Sequence, residues 1–324
     1  MAATNSVTVR SGARLHMGFF DLNGGLGRKF GSIGLTLTEP QLVVNVRSSD
    51  SLHASGGLGV PQSVIEKSAK IAEGVLLKLG VKKGLELNLL QHIPEHAGLG
   101  SGTQMALAIG MAVSRLYGLM QTTGQIAELT GRGGRSGIGI AAFDRGGLLI
   151  DGGRPVEQAF TVPPLLARYH FPEQWRILLI FDLNQYGVHG EQEKLAFSAL
   201  PAFPENLAAQ LCRHVLMQAM PAMVEQDLRA FGQSIQALQM HVGDYFAPTQ
   251  GGRYASKTVS AVLDSLGEMG VACFGQSSWG PTGFAVFESE QEAERHLDIL
   301  KSRFSDQVLS WKICGGNNHG AEFI

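Results

Sequence analysis

The stretch IPEHAGLGSGTQMALAIGMAV, residues 93–113, runs a glycine-rich turn straight into an apolar segment with helical spacing. Gly98, Gly100 and Gly102 alternate, so backbone N–H groups can converge with no Cβ between them. A helix starting here adds its unsatisfied first-turn donors and the positive end of its dipole. Together these favour a phosphate or pyrophosphate. Ser101 and Gln104 also have the spacing of an S-x-x-Q capping box, which needs no ligand. A cap uses one small residue and this turn has three alternating glycines. Anion binding by Gly98, Gly100, Ser101, Gly102, Thr103 and Gln104 is therefore the preferred reading.

Working outward, SVTVRSGARLHMGFF reads as a strand bent at Gly12, and GSIGLTLTEPQLVVNVRSS as two short strands around a Glu39-Pro40 turn. SVIEKSAKIAEGVLLKLG has helical periodicity stopped by Gly80, and GLELNLLQHIP reads as a strand. Downstream come a short helix in TTGQIAELTGRG and a strand pair in AAFDRGGLLIDGG, joined through Gly146 and Gly147. A proline-rich connector follows near 163–175. Beyond it, RILLIFDL reads as a buried strand and ENLAAQLCRHVLMQAMPAMVEQDLRAFGQSIQALQMHVGDYF as helices broken at Pro221. A helix in ASKTVSAVLDSLGEMG, two strands in VACFGQSSWGPTGFAVF, a helix in SEQEAERHLDILKSRF and a strand in VLSWKICGG complete the chain. The pattern is α+β in two lobes, 1–162 and 163–324.

The 324 residues are 44% hydrophobic and 17% charged with a formal net charge of −2, which leaves no global field for nucleic acid or an anionic membrane. Any anion must be held by local geometry. Cys212, Cys273 and Cys314 are far apart and odd in number, which fits a reducing cytoplasm. MAATNSVTVR lacks a signal-peptide core, and MALAIGMAV is too short to span a bilayer.

IPEHAGLGSGTQMALAI resembles the phosphate-binding motif of the GHMP kinase superfamily, commonly P-x-x-x-G-L-G-S-S-A. CFGQSSWGPTGFAVF resembles that superfamily's C-terminal glycine-rich motif through Ser278, Gly280, Pro281 and Thr282, and SGARLHMGFFDLNG stands in the place of the first motif. The resemblance implies a two-lobed GHMP-kinase-like fold. Its N-terminal lobe would be ribosomal-protein-S5-domain-2-like and its C-terminal lobe a ferredoxin-like α/β sandwich.

One departure matters. Mevalonate-kinase-like members carry a catalytic aspartate in S-G-x-D-x-A, followed by G-G. Here SGIGIAAFDRGG aligns Ser136, Gly137, Ala141, Gly146 and Gly147 but places Gly139 at the aspartate position. A kinase needs a group that orients or deprotonates its hydroxyl nucleophile, and glycine offers none. Asp144 is five residues on. The second serine of G-L-G-S-S is Gly102, and Thr103 and Gln104 replace small residues. The chain thus resembles a non-kinase branch, the β-ribofuranosylaminobenzene 5′-phosphate synthases of methanopterin biosynthesis. That resemblance implies condensation of 4-aminobenzoate with phosphoribosyl pyrophosphate, giving a C-riboside, carbon dioxide and pyrophosphate. It implies no ATP, and a homodimer. The residues do not choose between 4-aminobenzoate and 4-hydroxybenzoate. An ATP-dependent small-molecule kinase using Asp144 or Asp21, or a non-catalytic ligand-binding homologue, are the competing readings.

For this chemistry, Ser101 and Thr103 with the loop backbone are candidates for the pyrophosphate end, with Mg²⁺ on Ser101 and Asp21 as a candidate carboxylate. Arg132, Arg135 and Ser136 in GRGGRSG are candidates for the other phosphate. Arg14 and His16 share a strand face and, with Asp21, form a candidate catalytic cluster. Gln276, Ser278 and Thr282 are candidate substrate contacts, with Trp279 and Phe284 beside the aromatic ring. A fixed cation on the carboxylate would stabilise the ground state and slow decarboxylation, so a weakly polar carboxylate pocket is expected. Asp182, His189 and Glu191 follow a buried strand, a common place for site residues. His92 and His96 have metal spacing, but Pro94 between them argues against a shared helix face.

Overall fold

The computed structural model describes residues 5–158, 161–185 and 200–324. The first lobe is a seven-stranded sheet organised by two long strands, β1 (Ser6–Asp21) and β3 (Gly31–Ser49), antiparallel along their length. β3 is long enough to take two neighbours on its outer side. β5 (Gly84–Gln91) pairs with its second half and β6 (Leu148–Asp151) with its first. The expected break at Glu39-Pro40 is a cis peptide inside one continuous strand, because β1 pairs on both sides of it. The short β2 (Arg28–Lys29) and β7 (Arg154–Pro155) form a separate ribbon, and β4 (His53–Gly56) is a parallel edge on β5.

Helices α1 (Gln62–Lys78), α2 (Ser101–Leu116), α3 (Thr123–Leu129) and α4 (Ile138–Arg145) cover this sheet. α2 lies against β1 and β3, and Met105, Leu107, Ala108, Ile109, Ala112 and Val113 are buried beneath it. That apolar face is what the 93–113 stretch encodes. α4 corrects the expected strand pair in AAFDRGGLLIDGG. Its first half is helical, Gly146 is the C-cap, and only Leu148–Asp151 is strand. Short apolar runs do not distinguish helix from strand by periodicity, which explains the misreading.

The second lobe is a four-stranded antiparallel sheet in the order β10 (Cys273–Gln276), β11 (Gly283–Phe287), β9 (Arg176–Asp182), β12 (Leu309–Cys314). With α8 (Lys257–Glu268) before β10 and α9 (Glu290–Arg303) before β12, this is the βαββαβ order of a ferredoxin-like sandwich. β9 is buried on both faces, as its unbroken apolar sequence requires. Leu178 and Ile180 pack with Val259, Leu263 and Leu300 under α8 and α9. Ile177 and Leu179 join a core that continues through α7 (Leu228–Gln250) into the first lobe. α5 (Glu205–His214), a π-turn at Val215–Ala219 and α6 (Met220–Glu225) precede α7. Pro221 follows the π-turn within a helical run continuous from α5, and the break comes at Gln226 in the left-handed region.

A division after residue 162 cuts short of the first sheet's edge. β8 (Leu165–Tyr169) pairs with β6, and the terminal β13 (Glu322–Phe323) returns to pair with β1. Among the described residues, no helix is long and apolar enough to cross a membrane.

The lobes meet where two glycine loops interlock. A Cβ on Gly98 would lie 2.3 Å from the Ser277 carbonyl oxygen, and one on Gly280 would lie 2.3 Å from the Gly98 nitrogen. Gly98 is also in the left-handed region, φ +76°. Gly98→Ala therefore combines overpacking with backbone strain and should cost about 2–4 kcal/mol, read as a fall in the urea midpoint. An unchanged midpoint would contradict the interlock.

Candidate active site

The start of α2 is open. Gly100 is the N-cap, in the left-handed region at φ +79°, and no side chain caps the helix. The expected Ser101–Gln104 capping box does not form. Ser101 is already the first helical residue, and Gln104 Nε2 donates to the Gly139 carbonyl at 2.8 Å, tying the first turn to α4. The first N–H groups of a helix have no intrahelical acceptor, and this first turn has no acidic residue. The geometry suits an anion.

Arginines gather over this turn. Arg14 on β1 donates through Nη1 to the Gly98 carbonyl at 2.5 Å, and its side chain runs along Gly100, 2.9 Å from where a Cβ would be. The Arg132 guanidinium lies over Gly102, with Nη1 3.3 Å from a Cβ there. Among the described residues Arg132 has no carboxylate within ion-pair distance, its buried Nε has no hydrogen-bond partner, and burial lowers its pKa. Arg135 lies close enough to His16 to act on its charge. Gly98 itself is not a cradle position. Its carbonyl is held by Arg14 and Ser277, and its Cα face is closed by Gly280.

His16 is enclosed, at 2% exposure. Its N–H donates to Ser277 Oγ at 3.1 Å, and its carbonyl accepts from Ser278 N at 3.1 Å. Ser277 Oγ then donates to the Gly98 carbonyl at 2.8 Å, so one hydroxyl links both loops to β1. Ser278 adopts φ +57°, a strained value for serine. Burial, then the charge of Arg14, push the His16 pKa down to about 3. The imidazole is therefore neutral across the physiological range, and neither ring nitrogen has a hydrogen-bond partner among the described residues.

Asp21 does not join Arg14 and His16. It ends β1, five residues past His16 and roughly 16 Å away at strand rise. Its carboxylate accepts from Asn23 and Gly24 N–H in a turn. Asp144 is near the exposed end of α4, where burial raises its carboxyl above the ordinary range and the neighbouring Thr123 hydroxyl partly offsets this. Gly139 is buried, and a Cβ there would stand 3.0 Å from Thr103 Cγ2. Asp182 is structural: it accepts from Ser256 Oγ at 2.6 Å, and Ser256 caps α8. His189 and Glu191 lie outside the described residues. Thr282 is enclosed under its loop, where its carbonyl holds Ser277 N–H. Gln276 gives its side-chain oxygen to Ala255 N–H and its amide to Ser278 O. Phe284 belongs to the core, whereas Trp279 lines a cavity beside His16.

The sequence reading missed Asp151. It is fully buried and accepts from Ser32 Oγ (2.6 Å), Ser136 Oγ (3.1 Å), Gly137 N (2.8 Å) and Gly153 N (2.9 Å). Ser136, expected to touch substrate, is thus held at the root of the loop that carries Arg132 and Arg135. A carboxylate set between an apolar strand and two glycines, LLIDGG, was the available signal.

Residues 64–147 match the GHMP kinases N terminal domain, and residues 219–306 match the GHMP kinases C terminal family. The chain is 32% identical to beta-ribofuranosylphenol 5′-phosphate synthase of Methanothermobacter thermautotrophicus, over 98% of both chains. It is 36% identical to the protein of the same name from Archaeoglobus fulgidus, over 87% of this chain and 88% of the other. The crystal structure of homoserine kinase from Cytophaga hutchinsonii superposes with a TM-score of 0.69 at 18% identity, covering 100% of this chain and 99% of that one. The last likeness shows the fold.

Burial raises Asp151 to about 6, so the fold binds its proton more tightly than the unfolded chain does. Its contribution is complete below about pH 4 and falls as pH rises to about 6. Asp151→Asn keeps one acceptor oxygen and orphans a buried N–H, a loss of about 1–3 kcal/mol. The gap in urea midpoint between wild type and Asp151→Asn should be widest near pH 4 and narrow towards pH 7. A gap that widens with pH would contradict this assignment.

Proposed function

The chain belongs to the β-ribofuranosylphenol 5′-phosphate synthase family, and we propose on that premise that it is a decarboxylating phosphoribosyltransferase. It condenses phosphoribosyl pyrophosphate with 4-aminobenzoate to give β-ribofuranosylaminobenzene 5′-phosphate, carbon dioxide and pyrophosphate, in methanopterin biosynthesis. The observation that carries this reading is the uncapped start of α2 under Arg132, a half-buried cation with no carboxylate partner among the described residues.

In this reaction the pyrophosphate leaves with the electron pair of its bond to the ribosyl carbon. The protein's task is to accept that charge. Ser101 and Gly102 offer backbone N–H groups, Ser101 and Thr103 offer hydroxyls, and Arg132 stands over Gly102. The arginines and the loop share one end of the site, so the division into a loop end and an arginine end is replaced by a continuous cationic surface. The leaving group takes α2 and Arg132, and the 5′-phosphate takes Arg14 and Arg135. Mg²⁺ entering with the diphosphate would be held on this chain by the Ser101 hydroxyl. Its chemistry is neutralisation of leaving-group charge. Asp21 is too distant to share that ion.

The kinase reading lacks a base, since Gly139 has no side chain and Asp144 is turned to α3. A ligand-binding homologue would bind the same anion without turnover. The relatives' name ends in phenol, which favours 4-hydroxybenzoate as a second acceptor. The homodimer and the cytoplasmic location remain part of the proposal and are checked by sedimentation and by fractionation.

Carboxyl-labelled 4-aminobenzoate and 4-hydroxybenzoate, each with phosphoribosyl pyrophosphate and Mg²⁺, should release labelled carbon dioxide, at different rates. Ser101→Ala and Arg135→Ala should each cut turnover about tenfold or more, about 1.4 kcal/mol of transition-state stabilisation. No label released by folded protein, or ATP consumed with no pyrophosphate formed, would refute the proposal.

A further inference from the structure

Asp151 ends β6 directly across from Ser32 of β3, and no part of it reaches solvent. No lysine or arginine pairs with it among the described residues. An apolar residue in this place would avoid the cost of burying a carboxylate and of finding it donors. What the carboxylate adds is a set of fixed bonds to segments that an apolar side chain could not hold.

Its Oδ2 atom serves the start of α4. Oδ2 accepts from Gly137 N–H at 2.8 Å and from Ser136 Oγ at 3.1 Å, and Ser136 Oγ in turn accepts from Ile138 N–H at 3.2 Å. Two N–H groups at the start of α4 are thereby satisfied from outside the helix, because its N-cap is Gly137, which has no side chain to do so. A negative group at this end also complements the positive pole of the helix.

The first turn of α4 then meets the first turn of α2. The Gly139 carbonyl accepts from Gln104 Nε2 at 2.8 Å, and Thr103 Cγ2 would lie 3.0 Å from a Cβ at position 139. Gln104 is wholly buried, and its Oε1 has no hydrogen-bond partner among the described residues, so the bond to Gly139 is the side chain's one polar tie there. A continuous path thus runs from Asp151 through Gly137 and Gly139 to Gln104, three residues past the start of α2.

We propose that Asp151 is a positioning residue for the anion site, acting through the start of α4 and Gln104 to set the first turn of α2. The proposal rests on the anion-binding part of the proposed function and is independent of the ring chemistry. Asp151 touches no substrate and moves no proton. It fixes the place from which Ser101 and Gly102 offer their N–H groups. Such placing matters because a shift of about 1 Å in a binding constellation can cost about a hundredfold.

Binding of magnesium pyrophosphate to the full-length protein, measured by calorimetry, tests this in a double-mutant cycle. Asp151→Asn and Gln104→Leu should each raise the Kd about fivefold, and the double variant should stay within about twofold of the weaker single one. Ser136→Ala replaces Asp151→Asn in the cycle if the latter does not fold. Ser256→Ala, which removes the cap of α8 in the second lobe, should lower the Tm and leave the Kd unchanged. An unchanged Kd in folded Asp151→Asn, independent effects multiplying to about 25-fold in the double variant, or an equal rise in Ser256→Ala would overturn the positioning role and leave the transfer reaction standing. Coupled Kd values in a protein that releases no labelled carbon dioxide would keep the role and overturn the reaction. Wild-type protein that does not bind pyrophosphate would overturn both.

Discussion

The Gly98 carbonyl is where the two lobes and the site are joined. It accepts from Arg14 on β1 and from Ser277 on the second glycine loop, while Ser277 also accepts the N–H of His16. Three segments distant in sequence are fixed around one oxygen. The contact requires Gly98 and Gly280 to meet backbone to backbone, with no room for a Cβ on either side. This sets the height of Arg14 over α2, and it seals His16 from water. The low pKa of that histidine follows from the seal, since burial is its largest cause.

A second hub supports the arginines. Asp151 holds Ser136 and the start of α4, and so fixes the root of the loop that carries Arg132, which reaches α2, and Arg135. A buried carboxylate is costly, and four donors only partly offset that cost, as its raised pKa shows. What results is Arg132 over a helix N-terminus, with no carboxylate within ion-pair distance of it among the described residues. At an effective dielectric near 20, a guanidinium and a phosphate about 4 Å apart attract by about 4 kcal/mol.

The open start of α2 was legible in the sequence because glycine spacing and helical periodicity are local signals. The lobes were legible for the same reason, through β9 and its all-apolar run. What was lost is non-local. Arg14, His16 and Asp21 look clustered within eight residues, but a strand spreads them at about 3.3 Å each, and Asp21 ends in a turn of its own. Gln276 and Ser136 were read from motif position, yet the fold uses their side chains to satisfy backbone or hold a loop, while the buried Thr282 hydroxyl has no hydrogen-bond partner among the described residues. Asp151, Ser277 and Phe246 matter through partners more than 30 residues away, which no window of sequence displays.

The departure from the kinases has a steric counterpart that sharpens its meaning. Gly139 is not a bare deletion of a base. Thr103 stands opposite it, at the position after the glycine motif where kinases carry a small residue, and its methyl fills the space a Cβ at 139 would need. Gln104 closes the same gap with a hydrogen bond to the Gly139 carbonyl. Restoring aspartate alone would therefore press on Thr103 and disturb the first turn of α2 that grips the anion. The helix start and the bare position 139 belong to one packing arrangement, in which Thr103 and Gln104 of α2 stand against Gly139 of α4.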